Sequence, residues 1–74
     1  MREKVLEIIN EIRVAKSLAT VDNIGEETRL REDLNLTSFD LAELTVKIED
    51  EYDIDIFEDG LVSTVGEIFA KLKK

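Results

Sequence analysis

Three stretches of this 74-residue chain repeat their apolar residues at helical spacing, and no second β-like run is available to pair with the one stretch that alternates. Residues 3–17 carry Val5, Ile8, Ile9, Ile12 and Ala15 at i, i+3, i+4, i+7 and i+10. Residues 38–52 carry Leu41, Leu44, Ile48 and Tyr52 at i, i+3, i+7 and i+11. From Val65, the residues Ile68, Phe69 and Leu72 follow at i+3, i+4 and i+7. Such a stripe turns one helix face inward, so each helix must be buried against the others. The alternating segment "DIDIF" at 53–57 has no partner strand and reads as a connector into one short helical turn near Glu58–Leu61. The expected fold is all-α: a small four-helix bundle of three main helices and one short one, a single domain over 1–74.

Between the first two helices, from Leu18 to Leu36, periodicity fails, and Thr20, Asp22, Asn23, Gly25 and Thr28 are turn and cap formers. A loop this long in a compact domain needs pinning, and Ile24, Leu30, Leu34 and Leu36 are its candidate anchors. The last helix is marked by Thr64 and, three residues on, Glu67, the pattern of a capping box. Lys71, Lys73 and Lys74 complement the negative C-terminal end of its dipole.

The chain has neither cysteine nor histidine. Disulfides, most structural zinc sites and imidazole-based nucleophilic triads are therefore excluded. No apolar run approaches the length of a membrane span, and the opening "MREKVLEIIN" is broken by charge, so a soluble cytoplasmic monomer is expected. Net charge is −8, and it is unevenly placed: eleven acids lie between Glu32 and Asp59, with Lys47 as the one base among them. Such a surface repels nucleic acid and anionic lipid and suits basic protein patches. Around Gly60 the acids suggest a calcium loop. With Gly60 at position 6, however, an EF-hand would need ligands where Phe57 and Gly66 stand, so no metal site is assigned.

The stretch "DLNLTSFDLAEL" at 33–44 places two hydroxyls at one helix start. If Thr37 is the N-cap, Asp40 stands at N3 and can reach back to the Thr37 N–H; if Ser38 is the cap, N3 is Leu41, which cannot. Thr37 is the better cap. Ser38 then sits in the first turn, at the positive end of the dipole, where an attached phosphate would be stabilised. On the same helix, Glu49, Asp50 and Glu51 crowd the C-terminal turn against the dipole, a local conflict of the kind functional surfaces tolerate. Asp40, Glu43, Glu49 and Asp50 are accordingly candidates for a docking face. Phe39 and Val46 lie off the core stripe, either as apolar anchors within that face or partly buried against the long loop or the short helix.

Followed by "EDEYDIDI", this stretch resembles the acyl carrier proteins, whose motif is Asp-Ser-Leu at the start of the second helix; the resemblance extends over nearly the whole chain. It implies that Ser38 accepts a 4′-phosphopantetheine arm from coenzyme A through a magnesium-dependent phosphopantetheinyl transferase. The arm's thiol would hold acyl groups as thioesters and present them to partner enzymes of fatty acid, polyketide or specialised lipid biosynthesis. The protein would be a carrier, not an enzyme. Thr37 stands where the family has Asp, and Phe39 where it has Leu, which points toward a specialised carrier. The Gly-Gly-(His or Asp)-Ser pattern of peptidyl carriers is missing, so an aminoacyl cargo such as D-alanine ranks below an acyl one. An acidic carrier-like interaction subunit that receives no cofactor is the rival from another class.

Overall fold

The structure is a computed structural model that describes residues 2–58, 60 and 62–73. Three helices follow in order: α1 (Arg2–Ala15), α2 (Ser38–Tyr52) and α3 (Val65–Leu72). The stripes on α1 and α2 meet: Val5, Ile8, Ile9 and Ile12 are buried with Leu41, Leu44 and Ile48, and α3 contributes Val65, Ile68 and Phe69. Tyr52 and Leu72 are only half-buried at the core's edge, and Ala15 is exposed because α1 ends there. The ion pairs Lys4–Glu51 and Lys16–Asp40 join the start of one helix to the end of the other, with Lys47–Glu11 between them, so α1 and α2 run antiparallel.

Helix α1 stops where Ser17 turns left-handed (φ 64°), with Leu18 N–H bonding Arg13 O and Ser17 N–H bonding Val14 O. The long loop that follows is pinned by Ile24, Leu30, Leu34 and Leu36, all buried as expected. Polar pins, which periodicity does not reveal, reinforce them. Arg13, only 9% exposed, donates from Nε to Ala19 O (2.9 Å) and from Nη1 to Leu34 O (2.6 Å), tying the two ends of the loop to one side chain. Its charge is tolerated inside because carbonyl oxygens accept its N–H groups. Asn10 forms two bonds with Val21, Nδ2 to its carbonyl and Oδ1 from its N–H.

The loop also completes α3. The first helical N–H groups have no partner within the helix, and here Val65 N–H bonds Thr28 O while Gly66 N–H bonds Glu26 O, both at 2.9 Å. Thr64 and Glu67 form the expected capping box, and an isolated antiparallel bridge joins Arg29 to Thr64. Between α2 and α3 the expected fourth helix is replaced by turns among the described residues. Glu58 N–H bonds Asp55 O, Gly60 N–H bonds Phe57 O, and Gly60 takes φ 132°, a conformation no right-handed helix continues through. Asp59 and Leu61, on which part of that expectation fell, lie outside the described residues. Ile56 and Val62 are buried, so the connector closes the core at these two residues.

Candidate functional site

Leu34 and Leu36 are buried on the approach to α2, and Asn35 between them is left-handed (φ 59°), so the chain reaches the helix with Thr37 and Ser38 facing outward. Thr37 is the N-cap in extended conformation. Its Oγ1 accepts from Asp40 N–H at 3.3 Å, while Asp40 Oδ2 accepts from Thr37 N–H at 2.8 Å. Ser38 takes no part in this capping box. It is the first residue of α2 and exposed, and its Oγ accepts a 2.5 Å hydrogen bond from Arg31 Nη2. A guanidinium donates and does not accept, so Arg31 cannot serve as a base for this hydroxyl. Sequence reasoning missed Arg31 because the contact crosses a loop with no periodic signal.

Beside Ser38 lies a cavity of about 540 Å³, within the usual range for small-molecule sites. Helix α2 supplies Ser38, Leu41 and Ala42 to it, the α2–α3 connector supplies Phe57 and Val62, and Arg29 and Arg31 come from the long loop. The walls next to Ser38 are thus largely apolar, while on the loop side the Glu32 carboxylate sits with the two arginines, and Ser63 and Thr64 complete the lining. Among the described residues no group of three His, Cys, Asp or Glu is placed to hold a metal ion, and no helix is long and apolar enough to cross a membrane.

The acidic candidates on α2 divide into two groups. Phe39, Glu43, Val46 and Asp50 fall at i, i+4, i+7 and i+11, one line along the helix opposite the buried stripe, and all four are exposed. Phe39 is 88% exposed and Val46 57%, which rules out burial against the loop. Glu49 is exposed beside this line. Asp40 differs: its side chain is only 13% exposed, and Oδ2 meets Lys16 Nζ at 2.5 Å as well as closing the cap. Burial pushes its carboxyl upward, but the bonds from Lys16 and Thr37 outweigh this and hold it below the ordinary value of 3.8. Asp40 thus faces α1 and the cap more than it faces solvent.

No family model matches the chain. Curated relatives do. The chain is 33% identical over 69 residues to a protein named acyl carrier protein from Picosynechococcus, covering 90% of this chain and 85% of that one. It is 33% identical over 69 residues to the acyl carrier protein of Saccharopolyspora erythraea, covering 90% and 73%. With the acyl carrier protein of Rickettsia canadensis the identity is 35% over 77 aligned positions, covering all of this chain and 84% of the relative.

Proposed function

The chain belongs to the acyl carrier protein family, and from that premise we propose that Ser38 is its attachment point for a 4′-phosphopantetheine arm. As a member of that family the protein is a carrier and not an enzyme. When bound, the arm supplies the thiol that this cysteine-free chain lacks, for holding an acyl group as a thioester.

The observation that carries the assignment is the separation of roles at the start of α2: Thr37 satisfies the cap, so the Ser38 hydroxyl is exposed and not needed for capping, with Arg31 as its hydrogen-bond partner. In the loading step Ser38 Oγ would bond to the pantetheine-side phosphorus of coenzyme A as the pyrophosphate P–O bond breaks. Adenosine 3′,5′-bisphosphate would leave, and the hydroxyl proton would pass to a base on the transferase. The residues present fit the group. The phosphodiester would lie at a helix N-terminus beside Arg31, and Leu41, Ala42, Phe57 and Val62 offer apolar walls for an acyl chain. Those walls favour an acyl cargo over an aminoacyl one. The partners of this reading are the phosphopantetheinyl transferase and acyl-transferring enzymes bearing basic patches, in the cytoplasm. Their docking line would be Phe39, Glu43, Val46 and Asp50, with Glu49 at its edge and Asp40 securing the helix start.

Incubated with coenzyme A, magnesium and a broad-specificity transferase, the protein should gain one phosphopantetheine mass, and Ser38→Ala none. A parent chain that never gains that mass, or a Ser38→Ala variant that does, overturns the reading.

A further inference from the structure

We propose that Arg31 is a positioning residue for the phosphodiester at Ser38, holding it by direct contact and so setting the direction in which the arm leaves the protein; this rests on the attachment proposed above. The charges nearby are mostly spoken for. Lys16 is held by Asp40, Arg29 by Asp33, Lys47 by Glu11, and Lys4 by Glu7 and Glu51. Among the described residues Arg31 meets no carboxylate, although Glu32 and Asp33 follow it directly; its guanidinium instead reaches seven residues on, to Ser38 Oγ at 2.5 Å.

A neutral hydroxyl makes small use of a full positive charge. Once phosphorus is bonded to Oγ, its two unbridged oxygens lie two bonds from the atom that Arg31 already contacts, and they share the negative charge. The forked N–H groups of a guanidinium match two such oxygens, forming charge-assisted bonds stronger than the one to the hydroxyl. The first turn of α2 adds its positive dipole end on the same side. Arg31 and Ser38 both line the cavity, so a phosphodiester held between them starts the arm along the walls formed by Leu41 and Phe57. In a protein of net charge −8, such a contact keeps the anionic arm close when the surrounding field would repel it.

The experiment is phosphorus NMR on the loaded parent, Arg31→Ala, Arg31→Lys and Arg29→Ala, with loading of each checked by intact mass. The expected result is a phosphorus line as broad as protein tumbling dictates in the parent, narrowed by local motion in Arg31→Ala and partly restored in Arg31→Lys. Arg29→Ala should resemble the parent, and the parent line should narrow as salt is added, since the contact is exposed. Equal relaxation in parent and Arg31→Ala overturns the inference while leaving the carrier reading intact. Equal narrowing in Arg29→Ala also overturns it, by assigning the effect to the summed field. A parent that cannot be loaded sinks both, and the mass spectrum distinguishes that outcome. Arg31 is exposed and outside any helix, so the helical spectrum of Arg31→Ala should match the parent's.

Discussion

Lys16 Nζ lies 2.5 Å from Asp40 Oδ2, and the same carboxylate oxygen accepts the Thr37 N–H, so one side chain from the end of α1 locks the cap of α2. Lys16 also donates to Asn35 O at 2.6 Å, which fixes the left-handed residue that delivers the chain to Thr37. The presentation of Ser38 therefore depends on a contact 24 residues apart in sequence.

That contact predicts an acid-sensitive helix start. Asp40 and Glu67 both have carboxyls held below their ordinary values: Asp40 by Lys16 and Thr37 against the upward push of burial, Glu67 chiefly by the Ser63 and Thr64 N–H groups. With the folded pKa below the unfolded one, the unfolded chain takes up protons first as pH falls. The stabilisation is full above the ordinary carboxylate range and is lost as pH falls through the folded values. Asp40→Asn should lower stability at pH 7 by about 1 kcal/mol, as for a damaged cap. It should also flatten the acid limb of a melting-temperature profile. An acid limb identical to the parent's would mean that Asp40 is not held as described.

Gly66 tests the docking of the long loop on α3. Alanine is favoured over glycine in a helix by about 1 kcal/mol. A Cβ here would come within 2.7 Å of Glu26 O, a backbone atom with little room to move, and Gly66 N–H bonds that same oxygen. Displacing packed backbone costs about 1–3 kcal/mol, so Gly66→Ala should be net destabilising. Thermal melting should show a loss of several degrees, and a midpoint at or above the parent's would contradict the docking.

At the other end of α2, Asp53 occupies a left-handed C-cap position (φ 59°) and adds a negative charge where the helix dipole is already negative. Asp53→Asn keeps the residue type's tolerance for that conformation and removes the charge, and should stabilise by about 0.3–1 kcal/mol. Denaturant titration measures it; an unchanged midpoint would show that solvent screens the charge completely.

The exposed line on α2 should act through encounter with basic partners. Glu43→Lys and Phe39→Ala should each lower the kcat/KM for transfer to Ser38 by about tenfold or more, the Glu43 effect shrinking as salt is added. Asp22→Lys, on the loop, serves as the control. Equal losses in all three variants would leave α2 with no special place in recognition.

What the sequence by itself determined are features closed within a few residues: the three stripes, Thr37 as cap with Asp40 at N3, Thr64 with Glu67, and hence Ser38 as the hydroxyl left over. A cap or an i, i+4 stripe is set by backbone geometry that every helix shares, so residue type and spacing suffice to read it. Only the tertiary structure decided that Arg13 ties Ala19 to Leu34, that Glu26 and Thr28 complete α3, that Asp40 turns toward Lys16, and that Arg31 meets Ser38. Each is a polar contact between segments brought together by burial of Ile24, Leu30, Leu34 and Leu36. Among the described residues the expected short helix is likewise absent: Ile56 and Val62 are buried on either side of Gly60 with turns at 56–58, and hydrophobic burial, being non-directional, does not require a helix to satisfy it.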